Sequence, residues 1–171
     1  MKLGIMQPYF FPYIGYFALI ANTDKWVVFD ITQYTPKSWM NRNRILHPIE
    51  SWQYITVPLS NSSIHIKISE AKILDKQKAH AKIIGQVAHY QKKSPFNKQV
   101  KELIEKTFSE TKTDSLVELN INSIKCVCEY LRINFNYIIA SEQNFKFHDN
   151  MQSGDWALEI SEQLKANEYI N

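Results

Sequence analysis

Residues 3–29 read LGIMQPYFFPYIGYFALIANTDKWVVF. Leu3 to Met6 is a short apolar run that stops just before Pro8, the pattern of a buried strand. Gln7 to Tyr13 is a loop stiffened by Pro8 and Pro12, whose rings fix φ and remove two N–H donors. Ile14 to Asn22 reads as a helix with Phe17 and Ile20 on one side. Lys25 to Phe29 is β-branched and aromatic, which predicts a second strand. Strand, helix and strand in this order predict a parallel pair. The first loop then lies at the carboxyl edge of the sheet, where open α/β folds bind ligands. The helix starting near Ile14 aims its free N–H groups at the same place. The stretch also reads as an aromatic plug sealing the core edge, and both readings stay open here.

Outward from this unit, Trp52 to Leu59 and Ile64 to Ile68 alternate as half-buried strands do, forming a small β-rich insert. Lys76 to Lys92 carries Ile83, Val87 and Tyr90 at helical spacing. Ser94-Pro95 reads as a helix start, and Val100, Leu103, Ile104 and Phe108 form that helix's apolar stripe. Ser115 and Glu118 make an S-x-x-E capping box ahead of Leu116, Leu119, Ile124, Val127 and Leu131. Phe135 to Ala140 reads as a strand, Asp155 to Lys165 as a helix, and Tyr169-Ile170 as the start of a last strand. Strands separated by helices at both ends predict an α/β fold: a mainly parallel sheet covered on both faces, in a single domain over 1–171.

Composition narrows the function. The 171 residues contain only four glycines, too few and too scattered for a glycine-rich phosphate loop. The formal net charge of +3 fits an anionic small molecule and does not argue for nucleic acid, which demands a concentrated basic face. No stretch approaches the roughly 20 apolar residues of a membrane span, and no signal peptide is evident. Cys126 and Cys128 lie two apart in a predicted helix, so they cannot pair with each other; they read as reduced core residues of a cytoplasmic protein. The five histidines form no H-x-x-x-H or H-E-x-x-H pattern, so no metal site is expected.

Two polar clusters carry the candidate chemistry. In the first loop these are Gln7, Tyr13 and Tyr16. The second is Trp39-Met40-Asn41-Arg42-Asn43-Arg44, where an extended chain puts Asn41 and Asn43 on one face and Arg42 and Arg44 on the other. Arginine offers a planar donor fork for carboxylate or phosphate, and asparagine suits sugar hydroxyls. Trp26 and Trp52 read as core, whereas Trp39 adjoins the polar run and reads as a sugar platform. Asp30 ends the second strand at the presumed ligand edge and is the leading carboxylate for acid–base work; capping of the next loop is its competing role. All of these residues are expected around one cleft, with Asp30 at its floor and an inward arginine on the anion.

The opening I-M-Q-P-Y-F-F-P-Y-I-G-Y-F, the W-M-N-R-N-R-I segment, T-V-P-L at Thr56 to Leu59 and A-N-E-Y-I-N at Ala166 to Asn171 resemble the WbqC-like family. They occur in the family's order across nearly the whole chain. The family continues with a Pro and a Gly pair after Tyr-Ile-Asn, so the resemblance implies that its C-terminal portion is missing here. Members occur among O-antigen genes, which implies a transferase of lipopolysaccharide or other surface-polysaccharide biosynthesis, including glycine transfer to an activated sugar. A second similarity concerns Pro12-Tyr13-Ile14-Gly15-Tyr16, which resembles the H-x-G-H motif of nucleotidylyltransferases and their HUP-type Rossmann-like fold. It implies a nucleotide-binding, adenylate- or nucleotidyl-forming enzyme using ATP or another nucleotide with Mg²⁺. Tyr13 and Tyr16 replace the two histidines, and tyrosine carries no positive charge near neutral pH, so that charge would fall to Lys37, Arg42 or Arg44. The absence of a recognisable nucleophile or triad keeps a third reading open: a non-catalytic binding module in polysaccharide assembly that holds an anionic small molecule or sugar nucleotide.

Overall fold

The computed structural model describes residues 1–171. Six strands and five α-helices follow one another as β1 (Lys2–Met6), α1 (Ile14–Ala21), β2 (Lys25–Val28), β3 (Arg42–Ile45), β4 (Gln53–Thr56), α2 (Lys76–Val87), α3 (Asn97–Glu110), α4 (Leu116–Leu131), β5 (Tyr137–Ile139), α5 (Asp155–Gln163) and β6 (Glu168–Ile170). The main sheet has the order β5-β2-β1-β6 and every pairing in it is parallel. β3 and β4 form a separate antiparallel ribbon. The expected α/β architecture with a small β-rich insert is therefore present.

Side-chain alternation along β1 and β2 divides the core between two faces. Leu3, Ile5 and Val27 point to one side and pack with Ala140 and with Ile160 of α5. Trp26 and Val28 point to the other, where Tyr16, Phe17 and Ile20 of α1 and the apolar faces of α2, α3 and α4 meet them. Gly4 sits beside Trp26 in this register. A Cβ on Gly4 would stand 2.4 Å from the Trp26 ring, so the indole lies flat where a side chain would otherwise be. Burying large side chains contributes roughly 1.5–3 kcal/mol each, which makes the Trp26 side the energetically dominant face.

Three local expectations change. Ile64 to Ile68 is not a strand: it makes one bridge, Gln33 to Lys67, and turns into a 3₁₀ helix at Ile68–Glu70. Its backbone bonds with the 32–34 segment reach only Tyr34 N to Ile66 O and Ile68 N to Thr32 O, because no longer strand edge lies beside it. Ser94-Pro95 forms a turn before α3; Phe96 occupies the cap position and makes no side-chain cap bond. The Ser115 side chain does accept from Glu118 N. The Glu118 carboxylate, however, reaches past the cap to the N–H groups of Lys112 and Thr113 at 2.7 and 3.0 Å. Cys126 and Cys128 are free and buried. Burial pushes the Cys128 thiol up to about 12.

Candidate functional site

The loop from Gln7 to Tyr13 leaves the carboxyl end of β1, one of the two inner strands. Its carbonyls would be costly to bury unpaired, and side chains from three other elements meet them. The Tyr16 hydroxyl donates to Gln7 O at 3.0 Å. Asn120 Nδ2, on α4, donates to Pro8 O and Met40 O, both at 2.8 Å. Asn43 Nδ2, on β3, donates to Phe10 O at 3.1 Å and Phe11 O at 2.6 Å. Phe10 N donates to Trp39 O at 2.9 Å, which ties the loop to the second polar cluster. Phe11 is held at φ 44°, a left-handed conformation that costs a bulky residue about 1–3 kcal/mol and persists because its surroundings fix it.

This clamped loop forms one wall of a cavity of about 450 Å³, lined by Met6, Tyr9, Pro12, Tyr13, Trp39 and Asn43. The volume is that of a small-molecule site. Three aromatic rings supply flat apolar walls, and Tyr9, Tyr13, Trp39 and Asn43 carry polar atoms. Tyr13 occupies the cap position of α1, so the first turn of that helix, whose leading N–H groups have no intrahelical acceptor, begins at the cavity wall. Burial raises the Tyr9 pKa, and the neighbouring Tyr13 adds to the rise, so Tyr9 stays a neutral hydroxyl donor through the physiological range.

Of the residues expected in one cleft, Tyr13, Trp39 and Asn43 line this cavity together. The others lie elsewhere. Tyr16 is fully buried, its ring 5.0 Å from Trp26, and burial raises its pKa far above the usual phenol range. It is a core residue and loop clamp: it lies within α1 on the buried side with Phe17 and Ile20, whereas Tyr13 precedes the helix in an extended conformation. The Gln7 side chain reaches Thr32 Oγ1 at 3.4 Å, away from the cavity. Asn41 is buried and holds the end of β4 through Val57 O at 3.1 Å.

Arg42 and Arg44 share the face of β3 opposite Asn43, so neither points into the cavity. They lie instead over aromatic rings: Arg42 at 4.1 Å from Tyr54, and Arg44 at 4.8 Å from Trp52 and 5.3 Å from Trp39.

Asp30 is not at the floor of this cavity. It lines a different one, about 380 Å³, with Ser69, Ser115, Glu118, Ser141 and Glu142 among its neighbours. Its carboxylate accepts from Ser141 N at 2.9 Å and from Ser141 Oγ at 2.6 Å, joining the ends of β2 and β5. Burial raises its pKa against the pull of the Ser141 bonds. No cluster of three or more His, Cys, Asp or Glu is placed to hold a metal ion. Sequence reasoning missed Tyr9 as a wall and Asn120 as a clamp. Asn120 did leave a signal, since it follows Leu116 by four residues and Leu119 by one on the buried side of α4.

A protein-family model, the WbqC-like protein family, matches residues 7–171. The chain belongs to the WbqC-like family. That family is associated with polysaccharide biosynthesis clusters. A curated relative, the uncharacterized protein Rv1507c of Mycobacterium tuberculosis (strain ATCC 25618 / H37Rv), is 30% identical over 177 residues, covering 99% of this chain and 71% of the relative. No solved structure matches significantly. Both signature stretches of this WbqC-like chain, the proline loop and the Asn/Arg run, meet at the aromatic cavity. No helix is long and apolar enough to cross a membrane.

Proposed function

We propose that this WbqC-like chain binds a sugar-containing ligand in the cavity walled by Tyr9, Tyr13 and Trp39, and acts as a transferase in surface-polysaccharide (O-antigen) assembly, with glycine as one candidate group to be moved. The observation that carries the reading is the aromatic bowl itself, set at the carboxyl end of β1 beside the start of α1. Pyranose rings present an apolar face that stacks on indole and phenol, while their hydroxyls take up the Asn43 and Tyr hydrogen-bonding atoms. Thermal-shift screening against UDP-sugars, ATP, CTP and glycine, each with and without Mg²⁺, tests it. A ligand at 100 times its Kd adds about 2.7 kcal/mol of stability. A stabilising sugar ligand whose effect disappears in Trp39→Ala supports the reading, and stabilisation unaffected by that change counts against it.

A second reading, a non-catalytic binding module, is favoured by the lining itself. None of its residues is a carboxylate, histidine, lysine or cysteine, and Tyr9 is held protonated. Release of nucleotide from a bound UDP-sugar in the presence of acceptor separates a transferase from a module. A Mg²⁺-nucleotide does not fit this cavity, because Mg²⁺ takes carboxylate oxygens and the lining offers none.

A further inference from the structure

On the outer face of the β3–β4 ribbon two guanidinium groups lie within cation–π distance of aromatic rings. Arg42 sits 4.1 Å from the Tyr54 ring centre, and Arg44 sits 4.8 Å from Trp52, 5.3 Å from Trp39 and 6.0 Å from Tyr54. Neither arginine forms an ion pair with any carboxylate, although six lysine–carboxylate pairs occur elsewhere in the chain. Arg42 Nε is buried and has no hydrogen-bond partner. Contact with a ring occupies the face of a guanidinium and leaves edge donors for a phosphate, which takes two at once; in Arg42, whose Nε is buried, these are the terminal Nη groups. Trp39 belongs to both assemblies: its ring lines the aromatic cavity and lies within cation–π reach of Arg44.

We infer that Arg42 and Arg44 form a phosphate ledge for the cavity's ligand, which makes that ligand a phosphorylated sugar: the ring in the cavity, the phosphate or diphosphate crossing Trp39 to the two arginines. This rests on the sugar-binding reading and extends it to a substrate class. The cavity supplies shape and stacking but no charge, and the ledge supplies two cations that no carboxylate neutralises. The pleat of β3 puts Asn43 toward the cavity and the two arginines on the ledge, so one strand serves both ends of such a ligand.

The test compares nucleoside-diphosphate hexoses with the matching neutral methyl glycosides by isothermal titration calorimetry. The variants are Arg44→Gln, Arg42→Gln and Trp39→Ala, with circular dichroism confirming that each is folded. Affinity for the diphosphate probes is expected to fall roughly 10- to 100-fold in either arginine variant, the range for losing a charged hydrogen bond. Methyl glycoside affinity should stay within about twofold in the arginine variants, while Trp39→Ala weakens both classes. In the unmutated protein, raising salt should weaken only the diphosphate probes, which keeps the test independent of how the variants fold. Equal, salt-insensitive affinity for charged and neutral probes overturns the ledge and leaves the cavity reading intact. Arginine-dependent binding that ignores Trp39→Ala leaves an anion site but overturns its link to the cavity. Binding of neither class overturns both.

Discussion

Asparagine at positions 43 and 120 does work that no apolar residue can do. A loop with two prolines gives up two N–H groups but keeps all its carbonyls, so its burial requires outside donors. Asn120 is fully buried and satisfies two carbonyls that are eighty residues of sequence or more from it, Met40 O and Pro8 O. Asn120→Ala removes both donors and leaves a small void. It is expected to cost about 2–4 kcal/mol in urea unfolding; a loss below about 0.5 kcal/mol would mean that the carbonyls find other donors. Asp30 makes a second test. Burial raises its pKa in the fold, so the folded state binds this proton more tightly than the unfolded chain does. Its contribution is full below the unfolded value of about 3.9 and is lost as pH rises through the folded pKa. The amide of Asp30→Asn stays neutral throughout. The stability of this variant relative to the unmutated protein is therefore expected to improve from about pH 4 upward in thermal melts, and a difference that stays flat with pH would refute the shift.

The start of α1 connects backbone conformation to the shape of the cavity. Gly15 has an ordinary φ, so its lack of a side chain matters for space alone. A Cβ there would stand 2.3 Å from the Tyr13 ring. That ring is 64% exposed and free to swing, so relief is cheap for the fold but moves a cavity wall. Gly15→Ala should leave the melting temperature nearly unchanged, helped by better helix propensity, while weakening ligand binding about tenfold in calorimetry. Gly4→Ala meets the rigid Trp26 ring within β1's central position and should instead cost about 1–3 kcal/mol of stability. The same contrast explains what the sequence disclosed. Elements whose apolar period is reinforced by a neighbour on each side, such as β1, α1, β2 and α4, could be read directly. Ile64 to Ile68 alternates as a strand would, yet it has only the short 32–34 segment to pair with, and alternation alone does not supply a longer edge. Glu118 likewise has the spacing of a capping box, but two free N–H groups at Lys112 and Thr113 offered its carboxylate a better bond.

Convergence of the site was only partly readable, because the period of a strand or helix tells which residues share a face but not which face looks at the ligand. Asn43 and Tyr13 turned toward one cavity; Arg42 and Arg44 turned away by strand alternation, and Tyr16 turned into the core from within α1, while Tyr13 stands before that helix in extended backbone. The division of the core was not readable at all, since it depends on which side of the sheet each helix takes. The consequence is an uneven fold. The Trp26 face holds a cluster of 24 buried residues, whereas the α5 face holds 5. β6 is three residues long, mostly exposed, and pairs only with β1. β1 and β2 by contrast have a neighbour on both edges. α5 and β6 should therefore open together while the rest of the sheet stays closed, as low-stability units do. Native-state hydrogen exchange is expected to show the amides of Tyr169 and Ile170 exchanging at least about 100-fold faster than those of Val27 and Val28. Trp156, on α5, packs 5.8 Å from Phe29 and 4.8 Å from Phe147 and is the largest side chain fastening this unit. Trp156→Ala should accelerate exchange in α5 and β6 further and leave β1, β2 and the aromatic cavity unchanged. Equal acceleration across all four strands would show one cooperative unit and refute the division.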